Sequence, residues 1–189
     1  SVVCTTDDPV DDLEHHRTIA ASGIGTRVYP TFRPDKAMVL TDITAWNVWV
    51  DKLAQAADTD CASLDGMKAA LRKRHDTFHA LGGRLSDHGL EVCPAQPATD
   101  RVAGDIFTKA RRGEPVSPAD AEAFAAHLLE YFAELDAEKG WTKQLHLGAV
   151  RNVNAALYRA LGPDVGGDSI GDARQGAALG ETLGRFASK

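Results

Sequence analysis

No apolar run in this chain approaches the roughly 18 residues of a membrane-spanning helix, and no block of lysine and arginine stands anywhere along it. The first absence leaves no transmembrane helix to place. The second, with a net charge of -6, excludes a general nucleic-acid binder, whose surface is basic. Cysteine is scarce. Cys4, Cys61 and Cys93 are odd in number and widely spaced, which is neither a disulfide framework nor a zinc spacing. Three reduced thiols in a cytoplasmic protein are expected. The glycines between 162 and 167 match neither G-x-G-x-x-G nor G-x-x-x-x-G-K, so no phosphate cradle is expected. There is no internal repeat, no low-complexity tract and no signal-peptide pattern, although the chain opens at Ser1 rather than Met.

What is present is ordinary for a soluble globular protein: 43% hydrophobic and 25% charged residues over 189 positions. Val2–Thr6 reads as a short buried strand. Asp8-Pro9 then suits a helix start, with Asp8 as N-cap and Pro9 in the first turn. A second strand is expected over Thr26–Phe32, a third over Arg84–Ser86 and a fourth over Lys143–Leu145. Between them lie helical patterns. Trp46, Trp49, Val50, Leu53 and Ala57 recur at helical spacing, as do Leu64, Met67, Leu71, Phe78 and Leu81. A helix is expected over 101–112. Another opens at Ser117-Pro118-Ala119-Asp120 and stops at Gly140. A last one is expected to start near Asp168. Strands separated by helices indicate an α/β fold with a parallel sheet, and no strand alternates as a half-exposed antiparallel one would.

In such folds ligands sit beyond the carboxyl ends of the strands. Here those ends read Thr5-Thr6-Asp7-Asp8, Thr31-Phe32-Arg33-Pro34-Asp35, Ser86-Asp87-His88 and His146-Leu147-Gly148-Ala149-Val150-Arg151. Each has a plain structural reading: Asp7 and Asp8 stabilise a helix end, Arg33 pairs with Asp35, and His88 caps a turn. Four clusters of Asp, His and Arg, each directly after an apolar strand, point to one shared site. Arginine grips a carboxylate with its planar fork, and histidine carries a proton or a metal near neutrality. His75 and His79 mimic a zinc helix with Asp76 in the glutamate place, but no third ligand follows and the helix is needed for the core.

Several of these segments together resemble uronate (glucuronate) isomerase. They are Val3–Pro9 with Leu13–His16, Pro30–Ala37, Ser86–His88, Gln144–Asn152, Gly162–Gly166 and Asp168–Ile170, in the family's order and across nearly the whole chain. Val153 departs from the family's asparagine run and Gly167 from its usual aromatic, and neither change removes a charged group. The resemblance implies a partial (β/α)8 TIM barrel of the amidohydrolase superfamily. Residues 1–189 would form one incomplete barrel domain, strands roughly three to six, of about four βα units with extra helices. It implies interconversion of D-glucuronate with D-fructuronate and of D-galacturonate with D-tagaturonate. It also implies a divalent metal, usually zinc, held by a His-x-His pair and an Asp; this chain contains no His-x-His, so those ligands are expected outside it.

As site residues the resemblance implies His146, His88 and Asp87 as catalytic groups, with Arg33 and Arg151 binding substrate. The partner is then a small hexuronate, with no nucleic acid, no membrane and a homo-oligomeric assembly. Because four strands of eight cannot close a barrel, the segment alone is expected to be inactive and to need other copies or the missing strands for stability. Two other readings stay open: a metal-dependent hydrolase of the same superfamily, and a non-catalytic sugar-acid-binding fragment.

Overall fold

Four short strands form one parallel sheet in chain order: β1 (Val2–Asp7), β2 (Arg27–Phe32), β3 (Leu85–Leu90) and β4 (Thr142–Leu147). The computed structural model describes residues 1–187. β1 pairs with β2 along its length, from Val2 opposite Arg27 to Asp7 opposite Phe32. β3 pairs with β4 in the same way, from Leu85 opposite Thr142 to Leu90 opposite Leu147. The seam between these doublets is narrow, a single register pair of Phe32 and Ser86. Side chains therefore have to carry much of the connection there.

The helices are α1 (Glu14–Ala21), α2 (Asp35–Met38), α3 (Ile43–Ala57), α4 (Leu64–Ala80), α5 (Asp100–Arg111), α6 (Pro118–Lys139), α7 (Ala155–Leu161) and α8 (Gly176–Phe186). Their starts follow capping chemistry. Asp42, Ser63, Thr99 and Ser117 accept from the backbone N–H of Ala45, Gly66, Val102 and Asp120, satisfying donors the helix itself cannot. Gly140, at φ 63°, ends α6 in the left-handed conformation that glycine adopts without strain.

The core lies between the sheet and α3 to α6. Trp46 meets Phe107 and Phe124 edge-on. Phe32, fully buried, does the same with Phe78 at 5.2 Å and Phe132 at 6.1 Å between ring centres. Phe32 thus plugs the narrow seam from the helical side. The other face of the sheet is open at β4, where Gln144 and His146 are exposed while Lys143 and Leu145 turn toward the helices. This strand alternates in burial, contrary to the expectation, because helices cover only one of its faces. Parallel strands added in chain order with helices between them follow the winding of a (β/α)8 barrel arc. The outer edges of β1 and β4 carry no partner strand among the described residues. No described helix is long and apolar enough to cross a membrane.

Several boundaries differ from those expected. Asp8 caps no helix: Asp8 and Pro9 sit in a turn closed by the Asp11 N–H on the Asp8 carbonyl, and α1 begins only after Leu13 at φ 60°. β3 does not end at Ser86 but runs through Asp87 and His88 to Leu90. β4 likewise runs past Leu145 and includes His146. No helix starts at Asp168. Ser169–Ile170 instead form β6, antiparallel to β5 (Ala149–Val150), and the last helix waits until Gly176.

Candidate active site

Arg33 stands at the carboxyl end of β2, its N–H bonded to the Asp7 carbonyl at the end of β1. The following proline holds its backbone out of a helix. Its Nε donates to Asp35 Oδ2 at 3.0 Å, and Nη1 lies 3.5 Å from Asp87 Oδ2. The guanidinium lies over Gly89, so close that a methyl group at position 89 would overlap it. Asp35 also accepts the Gly89 N–H at 2.8 Å. The β2–β3 ladder has already ended there, so this carboxylate takes up a strand donor that would otherwise go unpaired.

Asp87, buried in the middle of β3, accepts from Gln144 Nε2 at 2.9 Å across to β4. His146 lies two residues beyond Gln144, on the same open face, and is the register partner of Gly89. Arg33, Asp87, Gln144 and His146 therefore share one face at the strand ends. His146 and Arg151 both line an open cleft of about 380 Å³ together with Gly148, Asp168 and Ile170. Arg151 donates from Nη1 to Asp168 Oδ2 at 2.6 Å, and the Asn152 N–H reaches the other oxygen at 2.9 Å. These two bonds, the Asn152 N–H first, hold the Asp168 carboxyl below its usual pKa.

His88 does not line that face. Its ring is fully buried on the helical side and stacks on Phe132 of α6. The reason is strand parity: Asp87 faces the open side, so its neighbour must face the helices. Lys143 Nζ lies 2.7 Å from His88 Nε2. An ammonium has only donors, so Nε2 accepts and the ring proton sits on Nδ1. Nδ1 points at Asp35 Oδ1, 3.5 Å away, and neither atom has a closer partner among the described residues.

Behind His88 the row continues. Lys143 also reaches Asp136 Oδ2 at 2.9 Å and Ser86 Oγ at 3.4 Å. Ser86 donates to Asp136 at 2.6 Å, and His75 lies 3.2 Å from the other carboxylate oxygen. Burial, then the Lys143 charge, push the His88 pKa down. Burial also lowers Lys143 against the pull of Asp136. For Asp35 and Asp136 burial acts upward, but their donors outweigh it and hold both carboxyls below the usual range. The groups responsible are chiefly the His88 ring that faces Asp35, together with the Arg33 and Gly89 donors, and His75 with Lys143 for Asp136.

The remaining sequence candidates have structural partners. Asp8 accepts from Trp49 Nε1 at 2.9 Å and faces Lys36 at 3.0 Å. Asp7 accepts from Thr5 and from the Thr31 N–H. His75 serves Asp136 and packs on Trp141, whose Nε1 donates to His79 Nδ1 at 2.9 Å. The two histidines of the zinc-like motif are thus occupied by core groups. Among the described residues no three His, Cys, Asp or Glu side chains converge in a way that would hold a metal. Sequence reasoning gave no role to Lys143, Asp136 or Gln144 and saw Asp35 only as a partner for Arg33. Lys143 standing in strand register with Leu145 and Leu147 was the one available signal, since a buried ammonium demands partners.

A sequence model of the glucuronate isomerase family matches residues 1–189. The uronate isomerase of Opitutus terrae is 56% identical over 183 residues, 97% of this chain and 39% of its own length. That of Solibacter usitatus is 51% identical over 184 residues, again 97% and 39%. Among solved structures, uronate isomerase from Thermotoga maritima superposes with a TM-score of 0.90 at 34% identity, covering 100% of this chain and 42% of its own. Glucuronate isomerase from Caulobacter crescentus gives 0.84 at 30% identity, covering 97% and 38%. The chain spans about two fifths of the length of the curated relatives it matches.

Proposed function

The chain belongs to the glucuronate isomerase family, and on that premise we propose that its strand ends form one wall of a hexuronate site in a polypeptide of full family length. The reaction is an aldose–ketose isomerisation, D-glucuronate to D-fructuronate and D-galacturonate to D-tagaturonate. Residues 1–189 supply barrel strands roughly three to six, and the assembly is a cytoplasmic homo-oligomer. The observation that carries the reading is the Arg33 guanidinium over Gly89, on the same open face as Asp87 and His146.

The chemistry sets three needs. A base removes the proton from C2 and returns it to C1, the carbonyl oxygen must be polarised as the enediolate forms, and the distal carboxylate must be held. Arg33 is the carboxylate grip: Asp35 fixes its Nε side and leaves the Nη edge toward the open face. Arg151, held by Asp168, closes the cleft on the other side and contacts substrate oxygens. His146 and Asp87 bond sugar hydroxyls, Asp87 with Gln144 fixing its orientation. His88 acts from behind this surface. A divalent metal, zinc by the family resemblance, would polarise the carbonyl. The described residues offer no set of ligands for one.

The test is ketose formation from D-glucuronate by a polypeptide of full family length carrying these residues. Ketose production with no leaving group released supports the isomerase. Release of a leaving group from a derivatised sugar acid, without isomerisation, supports the hydrolase.

A further inference from the structure

The row of buried groups behind Arg33 is larger than a single ion pair requires. Asp35 Oδ2 binds Arg33 Nε and the Gly89 N–H together. Its other oxygen faces His88 Nδ1, and His88 Nε2 accepts from Lys143, which is seated on Asp136 and Ser86. Each group leaves the next with one remaining direction. Lys143 spends its three donors on Asp136, Ser86 and His88. That forces the His88 proton onto Nδ1, and among the described residues Nδ1 faces Asp35. Asp35 in turn fixes the plane of the Arg33 guanidinium, and Asp87 meets its Nη1.

We propose that Asp35 and His88 are positioning residues for Arg33, and that the buried Lys143–Asp136 pair sets the donor that His88 presents to Asp35. The proposal rests on the reading of Arg33 as the carboxylate grip. A grip must be held in one orientation before substrate arrives, because a loose guanidinium gives up affinity in being ordered. An apolar side chain at position 88 would fill the same space against Phe132 and hold the fold. It would remove the N–H that, among the described residues, faces Asp35 Oδ1.

The alternative is that the row only ties β2 to β3 across their narrow seam. The two accounts separate in kinetics. A purely fold-holding row lowers thermal stability but leaves KM of the folded protein unchanged. A positioning row raises KM.

The experiment uses a polypeptide of full family length carrying these residues, with D-glucuronate as the probe. KM, kcat and Tm are measured for Asp35→Asn, His88→Phe, His88→Asn and Arg33→Lys. Asp35→Asn and His88→Phe are expected to raise KM about tenfold with kcat changed less than about threefold. His88→Asn keeps an N–H donor near the place of Nδ1 and is expected to hold KM within about threefold of the parent. If His88→Phe fails to fold, Asp35→Asn and His88→Asn still decide, since the first must raise KM and the second must not. Unchanged KM in Asp35→Asn and His88→Phe, with a raised KM in Arg33→Lys, overturns the positioning role and leaves the grip standing. Unchanged KM in Arg33→Lys overturns the grip itself and the proposal with it.

Discussion

Arg33 lies across the bare Cα of Gly89, and the three nearest atoms a Cβ there would meet all belong to the Arg33 guanidinium. Gly89 does not have the left-handed backbone that would demand glycine. Its lack of a side chain is therefore explained by the arginine it accommodates. Gly89→Ala should push the guanidinium aside, which a long side chain can do cheaply, and alanine should recover some unfolded-state entropy. Stability should change by less than about 1 kcal/mol while KM for a hexuronate rises. Urea unfolding and steady-state kinetics on the same variant check both halves.

The Lys143–Asp136 pair is the second point of test. Lys143 is 11% and Asp136 4% exposed, and each is the other's counter-charge. Removing one leaves a buried, unpaired charge, so Asp136→Ala should cost about 3–5 kcal/mol. Denaturant midpoints measure it. An exposed pair such as Arg101–Asp105 should show the contrast, losing at most about 1 kcal/mol when Asp105 is replaced by Ala.

Phe32 carries the sheet seam. It is fully buried and touches His75, Phe78 and Phe132 edge-on. Phe32→Ala should destabilise by about 3–5 kcal/mol, again read from a denaturant midpoint. Phe32→Leu, which leaves a smaller cavity, should lose clearly less.

Acid should weaken the fold in two stages. Burial favours the neutral form of His88 and of His127 in the folded state, whereas an unfolded histidine takes up its proton near pH 6.5. Below that pH the unfolded chain binds more protons, so stability falls as pH falls. Asp35 and Asp136, held below the usual range, lose their contribution further down, as pH drops below about 4. Between pH 7.5 and 5.5 the unfolding free energy from urea denaturation should decrease, by at most about 1.4 kcal/mol per pH unit per proton. His88→Asn should show a smaller decrease, since only the His127 part remains of the two.

Much of the architecture was legible because local chemistry dictates it. Ser117-Pro118 with Gly140 bounded α6 to the residue, and the apolar spacing from Trp46 to Ala57 marked α3. The misreadings have a common cause. Asp87 and His88 looked like loop residues because they are polar, yet the ladder to β4 and the cover of Phe132 keep them in a strand. Their partners, Arg33, Gln144 and Lys143, come from other elements, and no local pattern reports such pairings. A helix was expected to start near Asp168, but this residue serves Arg151 and Asn152 from just before Ser169–Ile170, a strand too short to show a period. The clustering of Arg33, Asp87 and His146 on one face could be anticipated from their places at strand ends. The burial of His88 could not, because it turns on where β3 stops.

The proposed role of Arg33 is to hold the substrate's carboxylate. It is tested most directly by kcat/KM for D-glucuronate in Arg33→Lys, in a polypeptide of full family length that carries these residues. Lysine keeps the charge but loses the planar fork, so a fall of more than about tenfold is expected, mainly through KM. An unchanged kcat/KM would contradict it.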